Sequence, residues 1–354
     1  MCMYAYKRLH SLGAFKEVQH SFQGTCTVVA EVPGPEALQL DREERILYFI
    51  SNNPCDHQSP RGSIYYLELD DSNPLAHPFK MNGPKDFHPH GLSFFRLRSP
   101  MVRSSYGDGQ RQAPMATGRD NKEEEYLFTN NHREDGSHTV EIFTIETRGT
   151  LNHEITISGD DLTSPNDLVA VGPRQFYVTN DGRSHDYIIR SIDTFLGRKT
   201  GNVLFYDGHD FKEVVDNLHF PNGIAINRQS NELIVGETLS GMLKVYQILE
   251  SGQLGNVDNF FLDTGIDNIS IDEDGQLWVA IHPNLWALSK HMRNTQINSP
   301  AQVFSVTNRP YIKKLEYQDS GILLSGLSTA ISVDGNLYLG AVCDNKLLKC
   351  TTNN

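Results

Sequence analysis

Six times along the chain a short polar corner precedes a run in which apolar and polar residues alternate. The runs are PGPEALQLDREERILYFIS from Pro33, HPHGLSFFRL with EEYLFTNN from His88, SPNDLVAVGPRQFYVTN from Ser164, FPNGIAINRQSNELIVGET from Phe220, IDNISIDEDGQLWVAIH from Ile266 and LSTAISVDGNLYLGAV from Leu327. A period of two marks a half-buried strand, and the Gly, Asp and Asn clusters inside most runs mark the turn to a second strand. Further strand-like runs lie between the corners: SIYYLEL, TVEIFTI, GNVLFYD and MLKVYQI. Each block therefore predicts about four strands. The corners fall near 36, 90, 166, 222, 267 and 329, with intervals from 45 (222 to 267) to 76 residues (90 to 166). That is the length of one propeller blade plus its loops. The expected fold is all-β, a six-bladed β-propeller of four strands per blade, whereas a β-sandwich would leave six equivalent corners unexplained. Residues 26–354 read as one propeller preceded by a short arm, 1–25. One or two peripheral helices are expected: HDYIIRSIDTFLGR follows the third block, and Leu9, Leu12 and Phe15 form a weak helical face in the arm. Residues 98–124 are polar, rich in Gly, Pro and Ser, and without a period, so they predict a mobile surface loop.

Composition narrows the function classes. A net charge of −13 argues against a nucleic-acid surface and suits cation binding. No apolar run is long enough for a membrane-spanning helix. The first residues lack the apolar stretch of a signal peptide, so either the chain is intracellular or a presequence is missing. The arm reads as a packing element, with peripheral contact to a membrane or lipoprotein as the weaker alternative. The cysteines Cys2, Cys26, Cys55, Cys343 and Cys350 are too few for a disulfide scaffold. Cys26, however, lies just before the first strand motif and Cys350 in the last strand. The ends of a ring must meet, so a bridge between them would close it; two separate thiols are the alternative.

The corners carry the candidate chemistry. They offer Glu36, His90, Asn166 with Asp167, Asn222, Asp267 with Asn268, and Ser328 with Thr329. In a closed ring of sheets these side chains would point to one axis. Glu36, Asn166, Asn222, Asp267 and Asn268 then supply five side-chain oxygens and two negative charges. Calcium takes six to eight oxygen ligands, so this set would hold Ca2+ and leave room for water and substrate. Zinc would want a Cys/His cluster. Each residue also has a plainer reading: Asn222 before a glycine is commonly a turn residue. Asn268-Ile269-Ser270 spells a glycosylation sequon, but it heads a strand that reads as buried. The joint pattern across several corners is what points to a metal.

In order along the chain, PHG at 89–91, the pair Asn131-His132, NDLVAVGPRQFYVTND from Asn166, NGI from Asn222 and DNISID…GQLWVAIHPN from Asp267 resemble the serum paraoxonase/arylesterase family of calcium-dependent lactonases. The resemblance runs from about Tyr6 to Cys350. It implies a hydrolase of lactones and aryl esters, with organophosphates as further candidates. Glu36, Asn166, Asn222, Asp267 and Asn268 match the catalytic calcium ligands, and His90 and His132 the histidine dyad. Phe220 and His282 match pocket-wall positions, with Thr329 and Val342 added to the expected substrate pocket. Cys26 and Cys350 match the disulfide that closes the ring. The implied mechanism polarises the substrate carbonyl on calcium while His90, oriented by His132, takes a proton from water. The family is typically secreted or membrane-associated, so an extracellular location is expected. Three departures stand out. The family holds a second calcium with an Asp directly after the Glu; Asp167 and a carbonyl at Leu92 are retained, but Ala37 follows Glu36. Weak or absent binding of a second ion is expected. The NNPCDHQSPRG loop is short, and Ile281 stands where the family has a free thiol. A noncatalytic binding propeller and a related sugar lactonase are the competing readings.

Overall fold

A computed structural model describes residues 2–56, 61–72, 74–97 and 123–352 of the chain. The alternating runs form six antiparallel sheets arranged in a ring. The innermost strands are Leu38–Asp41, Pro89–Leu97, Pro165–Gly172, Pro221–Asn227, Ile266–Ile271 and Leu327–Val333, and each touches its counterpart in the next blade. This is the expected six-bladed propeller. Five blades have four strands. The second has a fifth, Lys80–Asn82, added in parallel to Thr150–Ser158. The predicted loop at 98–124 lies almost wholly outside the described residues.

Burial explains the ring. Second strands such as Ile46–Ser51 and Glu232–Glu237 are buried at every position, whereas an outer strand such as Phe211–Leu218 is largely exposed. Among the described residues the buried apolar side chains form six clusters, one in each seam between neighbouring blades. Tyr48 and Ile64 of blade one meet Phe87 and Leu127 of blade two; Ile331 and Tyr338 of blade six meet Leu38 and Phe49 of blade one. A sheet with two apolar faces needs a neighbour on both sides, and only a closed ring provides one for every sheet. The turns after the inner strands repeat one device. Asp41, Asn227 and Asp272 each accept backbone N–H bonds two residues on, the Asx turn favoured by these side chains.

The ring closes with the N-terminal strand Gly24–Ala30 pairing with Leu347–Thr352 as the outer strand of blade six. Cys26 lies opposite Cys350 in that register and is bonded to it, with Cα atoms 4.0 Å apart. A second bridge that the sequence did not signal joins Cys55 to Cys343, with Cα atoms 5.6 Å apart. It ties the loop after the second strand of blade one to the loop beside Val342.

Three helices accompany the described strands: α1, Cys2–Ser11; α2, Tyr187–Leu196; and α3, Leu285–His291. α2 is the predicted helix. Asp186 caps its start by accepting from the N–H groups of Ile188 and Ile189, and Gly197 ends it in the left-handed conformation. α1 docks on it, since Arg8 donates to the carbonyls of Phe195 and Thr194. The arm continues to α3, where Leu285 N–H donates to the Leu12 carbonyl. No described helix is long and apolar enough to cross a membrane.

Candidate active site

Every polar corner sits at the first residues of an inner strand or just before it, and in blades two to six the strand pairing there is irregular. The register shifts between Pro165 and Leu168, between Pro221 and Ile224, and between Ile266 and Ile269. The skipped residues are Asn166-Asp167, Asn222-Gly223 and Asp267-Asn268. A bulge of this kind breaks the alternation and re-aims side chains, here at the end of the ring's axis. The same shift between His90 and Ser93 follows the corner of blade two. Gly223 is not a turn glycine. A Cβ there would lie 2.4 Å from the Asp267 carbonyl, so its absence lets blade four press against the corner of blade five. Gly91 does the same for blade two against Asn166, at a φ of +69°.

Hydrogen bonds lace the corners together. Asn268 Nδ2 and Ser328 Oγ both donate to the Glu36 carbonyl, at 3.1 and 2.8 Å. Asn130 Nδ2 donates to the Asn166 carbonyl, and Thr179 Oγ1 to the Asn222 carbonyl. Glu36, Asn166, Asn222, Asp267, Asn268 and Thr329 are all buried. Glu36 Oε2 lies 2.8 Å from His90 Nδ1, and Asp267 Oδ2 lies 2.5 Å from His282 Nε2. These two carboxylates are thus paired with histidines rather than with Lys or Arg. Asn222 Oδ1 is buried without any hydrogen-bond partner. A buried amide oxygen left unpaired costs about 1–3 kcal/mol unless something polar or charged meets it. Two carboxylates and three amides, one of them with an orphaned oxygen, form a donor set that fits a hard cation such as Ca2+.

Asp167 behaves differently from its neighbour. Its two carboxylate oxygens accept from Leu168 N–H (2.9 Å) and from Ile224 N–H (3.1 Å), which pins blade three to blade four. Burial pushes its carboxyl up to about 7 despite those bonds. Beside it Leu92 is fully buried, and Ala37, also buried, adds no oxygen ligand.

His90 and His132 meet edge to face, their ring centroids 5.0 Å apart. Burial works against charge on His90, but the Glu36 carboxylate, with Asp267 and Asp181, holds it up to about 9 in the ion-free protein. Burial and the His90 charge keep His132 well below its ordinary value, so it stays neutral. The strand ends carrying both rings are fixed by Asn131. It accepts from His88 N–H and donates to Glu141, a fully buried carboxylate that also accepts from Thr139 and Thr156.

Two residues beside the dyad had no role in the sequence reading. Asp181, the last residue of the YVTND motif, is a half-buried carboxyl raised above its ordinary value by desolvation, and it hydrogen-bonds Ser164 and Asn166. His138 is the second, and its Nδ1 lies 2.8 Å from His132 Nδ1. Its only sequence signal is hairpin register, since His132 pairs directly with His138. Among the pocket residues, Phe220 adopts a left-handed φ of 57°, a strained conformation for an aromatic residue and one that clusters at functional sites. Val342 is partly buried next to the Cys55–Cys343 bridge.

The arylesterase family model matches residues 55–351. The chain belongs to the arylesterase family. A relative, serum paraoxonase/arylesterase 2 of Gallus gallus, is 32% identical over 291 residues, which is 79% of this chain and 74% of that one. Human serum paraoxonase/arylesterase 1 is 29% identical over 357 residues, covering 96% of this chain and 92% of its own. Solved propellers share this chain's fold at low identity. A putative gluconolactonase aligns with a TM-score of 0.53 at 14% identity, covering 96% of this chain and 95% of its own. The calcium-binding protein regucalcin of Agrobacterium tumefaciens also gives 0.53, at 12% identity, covering 94% and 95%. Membership makes this protein an ester-hydrolysing enzyme of the hydrolase class.

Proposed function

We propose that this protein is a calcium-dependent hydrolase of lactones and aryl esters, with organophosphates as secondary substrates. The observation that carries the reading is the buried oxygen set at the axis, with its unpartnered Asn222 Oδ1, beside the His90–Glu36 pair. Glu36, Asn166, Asn222, Asp267 and Asn268 would hold the ion. When bound, calcium supplies positive charge that polarises the substrate carbonyl, stabilises the developing oxyanion and neutralises the Glu36 charge that otherwise keeps a proton on His90. His90 then accepts a proton from the attacking water, and neutral His132 orients and relieves it. His282 holds the Asp267 carboxylate in place through its Nε2 contact. Phe220, Thr329 and Val342 line the space for the acyl or aryl part. Asp167 spends its oxygens on backbone N–H groups and Ala37 offers none, so one tight ion is expected rather than two.

The deciding experiment is a hydrolysis screen with γ- and δ-lactones, phenyl acetate and an organophosphate, run with and without EDTA. Turnover abolished by EDTA and restored by Ca2+ is expected. A purified protein that turns over none of these with calcium present would sink the reading in favour of a noncatalytic binding propeller.

The site's surroundings add a location. α2 exposes Tyr187, Ile188, Ile189, Ile192 and Phe195, and α1 exposes Met3 and Tyr6 nearby. Arg190 of α2 approaches Asp181 to 3.9 Å, which places this apolar face beside the dyad. An amphipathic helix with one face left bare by the described residues suits a phospholipid or lipoprotein surface. Two disulfides fit an oxidising, extracellular compartment.

A further inference from the structure

Hydrolysis of an ester or lactone at neutral pH leaves a surplus proton. Water's oxygen forms the new C–O bond, the acyl–alkoxy bond breaks, one water proton goes to the departing alkoxide, and the acid product gives up the other as it becomes a carboxylate. That proton must leave the site in every turnover. From Glu36 at the axis, a line of adjacent imidazoles leads outward. His90 Nδ1 lies 2.8 Å from Glu36, the His90 and His132 rings touch edge to face, and His132 Nδ1 lies 2.8 Å from His138 Nδ1 with the ring centroids 4.7 Å apart. We propose that His138 is the proton-exit residue of this enzyme, the third imidazole of a chain that carries the surplus proton from the His90–His132 pair to solvent.

The hairpin makes the contact obligatory. His132 ends one strand, Glu124–His132, and His138 begins the next, His138–Thr147, directly opposite it. The turn between them is closed by Arg133 N–H donating to the Ser137 carbonyl and by Asp135 accepting from Ser137 N–H and Oγ. Two Nδ1 atoms at this distance share one hydrogen, because one ring must donate and the other accept. All three rings are half-buried, and His138 is the one set nearest the surface. The charged and titratable groups facing His138 are Arg190 and His185 on the α2 side, Asp135 in the turn and His90 behind. Burial and the nearby Arg190, His185 and His90 hold it down to about 4. His185 is exposed at the outer end.

The proposal rests on the hydrolytic reading, and the experiment separates the two. Steady-state lactone hydrolysis is measured for the full chain with calcium in dilute, non-imidazole buffer, then with imidazole added in the millimolar range. Wild type, His138→Gln and His138→Ala are compared. Gln keeps a hydrogen bond to His132 but cannot carry a proton; Ala opens space for free imidazole. Both variants should keep wild-type KM and calcium affinity while kcat drops roughly ten-fold or more. Imidazole should restore kcat in His138→Ala and leave wild type unchanged. A His138→Gln enzyme as fast as wild type would reduce His138 to a positioning residue and overturn the proposal, as would a slow variant indifferent to imidazole. In parallel, 15N NMR of the imidazoles should show the His132 tautomer and titration altered in His138→Ala; an unaltered His132 refutes the shared proton without any turnover. A wild-type protein with no hydrolysis at all removes the hydrolytic reading and the exit with it.

Discussion

Asn222 shows how a single atom separates a structural from a functional reading. An amide holding the fold would lose hydrogen bonds on truncation and cost stability. Asn222 Oδ1 has no bond to lose. Asn222→Ala is therefore expected to lower ion-free stability by less than about 1 kcal/mol. It should still weaken calcium binding strongly and reduce lactone and aryl-ester turnover together. Titration calorimetry should show one tight calcium site in wild type and its loss in the variant. A variant with unchanged calcium affinity would remove Asn222 from the metal centre. Asp167 is the instructive contrast: it stood beside Asn166 as an apparent equal, yet its oxygens serve the backbone of Leu168 and Ile224. Residue type and position could not tell these neighbours apart, because the difference lies in which donors happen to face each oxygen.

At the scale of elements, α2 was legible and its purpose was not. Its cap residues and its apolar periodicity are local signals, and the helix runs Tyr187–Leu196 between Asp186 and Gly197 as they dictate. That none of its side chains is buried follows only from where the helix is set down. Removing two of the bare side chains tests the lipid reading. Ile188→Ser with Ile192→Ser should cut binding to phosphatidylcholine vesicles at least about ten-fold, since each buried isoleucine contributes about 1.5–3 kcal/mol. Hydrolysis of a soluble substrate without vesicles should be unchanged. Equal partitioning of the variant and wild type in a vesicle-sedimentation assay would refute the surface. α3 went unanticipated because seven residues carry too little periodicity to distinguish a helix from a loop, and its start rests on one Asn284 cap.

At the scale of the whole molecule, closure is the costly step. The first strand must find the last across 324 residues of chain, and the Cys26–Cys350 bridge fixes that pairing covalently. In the chain-entropy picture a loop of this size is worth about 5 kcal/mol, and measured values run lower. Replacing Cys26 and Cys350 together by serine should destabilise the protein by about 2–5 kcal/mol in denaturant unfolding. Blade six and the arm are expected to lose amide protection first. A double variant as stable as wild type would mean that the six seams alone hold the ring. The bridge was foreseeable because a ring forces its ends together. The Cys55–Cys343 bridge was not, since nothing in the chain says that these two top loops approach each other.

Six alternating runs, their turns and the residue types at their corners are local properties, and the sequence alone determined them, along with the ring they require. The corners named from it, Glu36, His90, Asn166, Asn222, Asp267 and Asn268, all lie at the heads of five of the six blades. The tertiary structure decided which of their atoms remain free. It placed Asp181 beside Asn166, His282 on Asp267, His138 on His132, and the α1–α2 pair beside the dyad. These contacts depend on bulges, on hairpin register and on how each blade abuts the next. They join residues whose separation along the chain carries no periodic signal, so only the folded ring brings them within reach.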